Sequence, residues 1–208
     1  FFHVEQKSRK SWLVDPDGNA FFHLGVCGFA PNDDYTYVKG REGIYEWLPK
    51  LDSEYTSAFR ERNPDHFSFY IANTIKKFGA AYDFESHAAR MIERVKKWGF
   101  NSIGAFSPVP QKTAFPHVAH LPTNEWEGVP RIPGAHEVWD PFDAATTAKI
   151  AENIAREVPA RANDPHLIGW FIVNEPRFDE LPRVIPSLDG KHACKRELLA
   201  ALKAKYST

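Results

Sequence analysis

The sequence predicts an α/β fold in which buried strands alternate with amphipathic helices. Helices are predicted over 84–98 and 143–158, because apolar residues recur there at spacings of three and four. A short apolar run follows each helix, at 101–106 and at 167–173. Strand, helix, short turn and strand in this order form βαβ units, which carry a parallel sheet.

The other predicted elements complete this order. Residues 12–14 lead into Asp-Pro-Asp-Gly at 15–18, a turn sequence that predicts a hairpin. Apolar runs at 21–26 and 114–121 predict the first and third strands, so that 101–106 is the second and 167–173 the fourth. A last helix is predicted over 195–206. Trp12, Trp98 and Trp170 lie within these elements and are predicted to be core residues.

A long segment, about 29–82, separates the first predicted strand from the helix at 84–98. It is rich in Tyr and Trp and contains one predicted helix that ends at Gly79. A loop of this length inside a compact domain is usually functional or disordered, and its aromatic content argues against disorder. We therefore expect an aromatic-rich loop with a functional role.

Composition excludes several classes of partner. The chain has 208 residues, a formal net charge of −1 and no basic stripe, which argues against nucleic acid and against an anionic membrane surface. No apolar run is long enough to span a bilayer, and no signal peptide is visible. The two cysteines are too few for a disulfide framework. A neutral ligand and no cofactor are expected.

Glu175 is the candidate catalytic residue. Only Asn174 separates it from the apolar run 167–173, so it should lie at the carboxyl end of a buried parallel strand, where barrel enzymes assemble their active sites. The apolar residues before it predict a poorly solvated carboxyl with a raised pKa, as a general acid needs. From local sequence alone, a Glu after a strand and before Pro176 is more often an ordinary loop residue than a catalyst.

Four segments resemble a known group of enzymes. Residues 169–176 (GWFIVNEP) resemble the fourth-strand signature of clan A glycoside hydrolases, which are retaining enzymes on (β/α)₈ barrels. Residues 12–22 (WLVDPDGNAFF) are similar to the start of the first strand in agarases of glycoside hydrolase family 50. Residues 98–104 (WGFNSIG) resemble the clan's second strand, and 198–206 the helix after strand four.

The resemblance implies a (β/α)₈ TIM barrel of which this chain covers about the first four β/α units. Residues 1–208 would then be the N-terminal half of a catalytic domain. Glu175 would be the acid/base, and Asn174 would bind the sugar 2-hydroxyl. The nucleophile of the clan is a Glu on strand seven, which has no counterpart in this segment. Glu125 and Glu127 are weak substitutes, since nothing local distinguishes them from solvated loop acids.

Substrate-binding candidates come from predicted loops and from the end of the third strand. Trp47, Trp126 and Trp139 could stack on sugar rings or pin their loops. His120 could bind substrate hydroxyls or lie on the surface. A metal pair of His117 and His120 is disfavoured, because residues three apart in a strand point to opposite faces. No metal site is predicted.

The sequence thus predicts a retaining hydrolase of β-galactosidic bonds in a galactan such as agarose. Its partners would be an oligo- or polysaccharide and the remainder of the barrel, in the same chain or a separate one. Three alternatives stay open: a β-galactosidase of the same clan, an inactive half barrel or carbohydrate-binding module that needs a partner chain, and a metal-dependent barrel hydrolase. We expect the mature chain to be secreted or periplasmic.

Overall fold

The structure is a computed structural model that describes residues 1–29, 34–110, 113–121, 126 and 128–206. The chain divides into two compact units, Phe1–Ala119 and His120–Thr208. No helix among the described residues is long and apolar enough to cross a membrane.

The first unit begins with an antiparallel hairpin that sequence reasoning missed. Strand β1 (His3–Lys7) pairs with β2 (Lys10–Val14) through a tight turn at Ser8 and Arg9, both with positive φ. The predicted hairpin at 15–18 is confirmed as a short one, since Val14 bridges Ala20 across the turn. Strand β3 (Gly25–Val26) follows, shorter than the predicted run 21–26.

The segment after β3 has its own secondary structure. Strands β4 (Thr36–Tyr37) and β5 (His66–Phe67) pair antiparallel, and helix α1 (Phe69–Phe78) ends at Gly79 with φ 66°, as predicted. Short 3-10 helices cover 42–44, 56–58 and 60–62. A hydrophobic cluster forms around Phe67, which is fully buried. The aromatic content of this loop therefore builds a local core.

The parallel strands of the first unit follow helix α2. This helix (Phe84–Lys97) matches the prediction and packs Ala88, Ile92 and Val95 against Ile103. Strand β6 (Ser102–Ile103) pairs in parallel with β3 and with β7 (His117–His120). Both β6 and β7 are shorter than the apolar runs that predict them.

Two glycines set the approach of β3 to β6. A Cβ added at Gly104 would lie 2.9 Å from Cys27 Sγ and 3.2 Å from the Val26 carbonyl carbon. A Cβ at Gly25 would lie 3.0 Å from the Cα of Gly104. A side chain larger than hydrogen at either position would therefore require the neighbouring strand to shift by a few tenths of an ångström.

The second unit contains the other helices and the last strand. Helix α3 (Ala144–Glu157) starts at Asp143, whose carboxylate accepts the Thr146 N–H at 2.7 Å, as the predicted cap requires. A 3-10 helix at 158–161 leads to β8 (Leu167–Phe171), which completes the sheet order β3-β6-β7-β8. Helices α4 (Leu181–Ser187) and α5 (Ala193–Tyr206) follow, with a 3-10 turn at 178–180 before α4.

The structure confirms the parallel sheet and corrects two core predictions. Trp12 is 47% exposed and Trp98 is 63% exposed, so neither is a core residue. Trp98 is the residue after α2 and lies beside the Arg94 guanidinium at 5.9 Å, which positions it on the outer surface of the helix end. Trp170 in β8 is half-buried.

Candidate functional site

Glu175 lies at the carboxyl end of β8, as predicted, and its backbone is strained. The strand ends at Phe171, the chain bends at Asn174 and Glu175, and Pro176 follows. Glu175 has φ 45°, a left-handed conformation that costs a side-chain-bearing residue about 1 kcal/mol or more. The surrounding contacts must therefore hold this turn in place.

The Glu175 side chain is exposed, and Asn174 is half-buried. The poorly solvated surroundings that we expected for Glu175 are therefore not formed by this chain. The expectation rested on its apolar neighbours in sequence, but β8 ends at Phe171 and Glu175 lies in the bend that follows it.

The residues after Glu175 are fastened by charge-assisted hydrogen bonds. Arg177 donates to both carboxylate oxygens of Asp179 at 3.0 Å, and this hydrogen bonding lowers the pKa of Asp179. The Arg177 guanidinium also lies 3.7 Å from the Glu180 carboxylate. Glu180 in turn accepts the backbone N–H of His136 at 2.9 Å. This last bond ties the turn after β8 to the loop that carries Trp139.

The Trp139 loop is itself closed by backbone pairing. Arg131 and Trp139 form an antiparallel bridge, and the Ile132 N–H donates to the Val138 carbonyl at 2.8 Å. After the loop, buried Asp140 accepts the backbone N–H of Cys194 at 2.9 Å. Asp140 and burial together raise the pKa of the Cys194 thiol, burial being the larger cause.

An apolar hollow of about 290 Å³, here called the Trp139 hollow, lies beside the candidate acid/base. Val173 and Pro176, which flank Asn174 and Glu175 in sequence, both line it. Its aromatic residues are Trp139, Phe142 and Phe178, and the remaining lining is nearly all aliphatic: Ile132, Val138, Pro141, Ile172, Leu181 and Ile185, with Glu137 and Cys194. The structure thus brings Trp139 next to the turn that carries Glu175.

His120 lies at the end of β7, next to the end of β8. The Leu121 N–H donates to the Phe171 carbonyl at 2.8 Å, and the His120 ring is 5.7 Å from the Phe171 ring. His120 is exposed, whereas His117 is fully buried, so the two point to opposite faces as predicted. Among the described residues there is no group of three His, Cys, Asp or Glu side chains that could hold a metal ion.

The two remaining Trp candidates differ in their surroundings. Trp126 is half-buried, while Glu125 and Glu127 on either side of it lie outside the described residues. Trp47 belongs to the first unit, where its ring meets Tyr55 edge-on at 4.9 Å and the Lys76 ammonium lies 4.9 Å from its centroid. Trp47 therefore packs within the Phe67 cluster, and its role in sugar binding stays a prediction.

Sequence reasoning missed the residues that fix the site. Asp140 and Glu180 each accept a backbone N–H from a distant part of the second unit, and Phe142 and Phe178 line the Trp139 hollow. The sequence Trp-Asp-Pro at 139–141 carried one usable signal, because an Asp before Pro often accepts backbone N–H groups. Nothing in the sequence marked Glu180 or Phe178.

No family model matches the sequence, but individual proteins do. Beta-agarase B of Vibrio sp. (strain JT0107) is 28% identical over 215 residues, covering 84% of this chain and 22% of that protein. Beta-agarase A of the same strain is 29% identical over 199 residues, covering 84% of this chain and 20% of that protein. The chain thus spans about a fifth of the length of these relatives.

Solved structures show the same fold. PfGH50B superimposes with a TM-score of 0.76 at 21% identity, over 100% of this chain and 36% of that one. An exo-beta-agarase gives 0.70 at 21% identity over 100% and 37%, and the agarase AgWH50C gives 0.68 at 20% identity over 97% and 34%. The comparisons confirm the resemblance that the strand-end motifs indicate: this chain is similar to beta-agarases along part of their length.

Proposed function

We propose that this chain supplies the acid/base half of the active site of a retaining glycoside hydrolase that cleaves β-galactosidic bonds in a galactan such as agarose. One observation carries the proposal: Glu175 lies in the bend that follows the carboxyl end of β8, in a chain similar to beta-agarases over 84% of its length. In α/β enzymes, substrates bind at the carboxyl ends of the strands.

The proposed architecture is a (β/α)₈ barrel in which residues 1–208 provide about the first four β/α units. The order β3-β6-β7-β8 follows the chain, as neighbouring staves of such a barrel do. The remainder of the barrel would supply the nucleophilic carboxylate, about 5–5.5 Å from Glu175 in a retaining enzyme. It would also bury the Glu175 side chain, which is exposed in this chain.

In the proposed reaction, Glu175 gives its proton to the glycosidic oxygen while the nucleophile attacks the anomeric carbon, and the leaving sugar departs as an alcohol. Glu175, now a carboxylate, takes a proton from water, whose oxygen then displaces the enzyme carboxylate. Asn174 would bind the sugar 2-hydroxyl. Trp139 and Trp126 would offer apolar faces to neighbouring sugars, and His120 a polar contact.

The exposed apolar residues of the second unit support a partner segment. Ile172, Phe178 and Phe142 around the Trp139 hollow are between 51% and 60% exposed. Leu199, Leu202 and Tyr206 on α5 are also exposed. Apolar faces of this kind are normally covered in a folded protein, and the further β/α units of the barrel would cover them. A secreted or periplasmic location would suit a polysaccharide substrate.

The decisive experiment compares two substrates of the complete enzyme. Glu175→Gln should lower turnover of the natural galactan by about 10²-fold or more, because the amide has no proton to give to the leaving oxygen. The variant should cleave the glycosidic bond of an activated aryl galactoside at a rate much closer to that of wild type, since this leaving group needs no proton. Glu152→Gln on α3 is the matched control, an exposed Glu that pairs with Lys149. Equal losses on both substrates would contradict the acid/base role.

The alternative is an inactive half barrel that binds polysaccharide and needs a partner chain. The exposed face of α5 favours it as much as it favours a continuous barrel. Hydrolysis that appears on mixing with the missing strands supports the enzyme, and saturable galactan binding without hydrolysis supports the module. A β-galactosidase would hydrolyse short galactosides and leave polymeric agarose intact.

A further inference from the structure

A cleft between α1 and α2 in the first unit gathers positive charge. Lys77 reaches it from the last turn of α1, and Arg90 and Arg94 reach it from α2. The cleft has a volume of about 230 Å³, below the range of about 300–1,000 Å³ typical of sites for drug-sized ligands. Within the part of the chain that the structure describes, no carboxylate lines it.

Among the described residues, none of the ion pairs includes Lys77, Arg90 or Arg94. The Asp83 carboxylate caps α2 by accepting the Ser86 N–H at 2.8 Å, and it interacts with Arg90 electrostatically without forming an ion pair. The positive charge of the cleft is therefore available to a ligand.

Helix stability does not explain the arrangement. Arg90 and Arg94 are one turn apart on α2, and like charges at this spacing destabilise a helix. The negative end of the helix dipole accounts for basic residues in the last turn, such as Lys77 and Arg94. Arg90 lies outside the last turn and has no such role.

An aromatic ring orients two of the cations. The guanidinium carbon of Arg90 lies 4.4 Å from the centroid of the Phe78 ring, and the Lys77 ammonium lies 5.5 Å from the same ring. Buried His87 also lines the cleft, and its pKa is lowered first by burial and then by the positive charges of Arg90 and Arg94. The two cations are thus held before any ligand arrives.

We propose that this cleft binds a tetrahedral oxyanion, either free sulfate or a sulfate ester carried by a polysaccharide. A guanidinium presents paired N–H donors that match two oxygens of such a group, and the ammonium of Lys77 adds a compact charge. Asn73, exposed beside them, offers an amide donor. Binding of the anion does not depend on the catalytic role proposed for Glu175.

The test is calorimetric titration of the chain with sodium sulfate, with sodium chloride adjusted to keep ionic strength constant. Wild-type chain should bind sulfate saturably, and Arg90→Gln and Lys77→Gln should each weaken binding about tenfold, the loss of one charge-assisted hydrogen bond. Arg156→Gln on α3, an exposed arginine paired with Glu157, is the control and should bind like wild type. Both variants change exposed side chains, so thermal melts should confirm that they fold.

A second arm identifies the source of the anion. A sulfated galactan oligosaccharide that binds more tightly than inorganic sulfate, and loses that advantage in Arg90→Gln, indicates a polysaccharide ester. Equal affinity for both indicates the free ion. The desulfated oligosaccharide measures sugar binding outside the cleft, and its affinity should not change in Arg90→Gln. A failure of the catalytic proposal can therefore be distinguished from a failure of the anion site. The proposal is overturned if wild type shows no saturable binding, or if both variants bind sulfate as wild type does.

Discussion

The carboxylate of Asp140 accepts the backbone N–H of Cys194 at 2.9 Å and, through its other oxygen, the N–H of Phe142 at 3.0 Å. One buried side chain thereby joins the end of the Trp139 loop to the start of α5. Without this carboxylate both N–H groups would lose their hydrogen-bond acceptor, so Asp140 fixes the end of the loop while Glu180 fixes its start.

Substitution of Asp140 should produce graded losses of stability. Asp140→Ala leaves both N–H groups without their carboxylate and should lower the free energy of unfolding by about 2–3 kcal/mol. Asp140→Asn keeps one acceptor oxygen and should cost about half as much. Urea denaturation measures both, with Asp52→Ala, an exposed acid of the first unit, as control. Equal cost for the two variants would show that the paired oxygens are not what matters.

The strained backbone at Glu175 predicts a stabilising substitution. Glu175→Gly removes the side chain that opposes φ 45° and should raise the free energy of unfolding by about 1 kcal/mol. Glu175→Gln keeps the strain and should leave stability unchanged within about 0.5 kcal/mol. Chemical denaturation of the two variants makes the comparison. If Glu175→Gly is less stable than Glu175→Gln, the side chain at this position stabilises the fold by more than the backbone strain costs.

Trp47 and Trp139 should respond differently to truncation. Trp47→Ala removes a ring that packs on Tyr55 and Phe67, and should destabilise the chain by roughly 2 kcal/mol or more. Trp139→Ala removes one wall of the Trp139 hollow and, under the proposed function, should weaken oligosaccharide binding with a smaller loss of stability. Thermal melts and sugar titrations separate the two effects. Unchanged sugar affinity in Trp139→Ala would remove it from the proposed binding residues.

Asp143 predicts a dependence of stability on pH. Hydrogen bonds from Thr146 lower the pKa of the Asp143 carboxyl in the folded state, so the unfolded chain binds this proton more tightly. Its contribution is therefore full above the unfolded value, about 3.9, and is lost as pH falls through the lower folded pKa. Asp143→Asn keeps a capping oxygen that does not titrate. Melting temperature should fall less steeply below about pH 4 in this variant than in wild type.

The helices were predictable because residues at their own ends mark where they begin and end. Gly79 after α1 and Asp143 before α3 occupy the positions that their chemistry predicts. The strands were harder to predict, because an apolar run indicates burial but does not show which of its residues pair with a neighbouring strand. Phe22 lies in the predicted first strand yet is 81% exposed, and only Gly25–Val26 pairs.

The position of the candidate site could be predicted from the sequence, but the hydrogen bonds that hold its loops could not. Glu175 could be assigned to a strand end because the apolar run before it is continuous. The bonds from Cys194 to Asp140 and from His136 to Glu180 join residues 54 and 44 positions apart, and no local pattern encodes such pairs. Exposure of Trp98 was missed because helical periodicity fixes a face but not what covers it.

The close approach of β3 to β6 has a consequence for the evolution of the chain. A methyl group at Gly25 would lie 3.0 Å from backbone atoms of Gly104, and one at Gly104 would lie 3.2 Å from the Val26 carbonyl carbon, so even alanine at either position forces the neighbouring strand to move. We therefore expect natural selection to retain glycine at both positions more strictly than the residues of the surrounding loops.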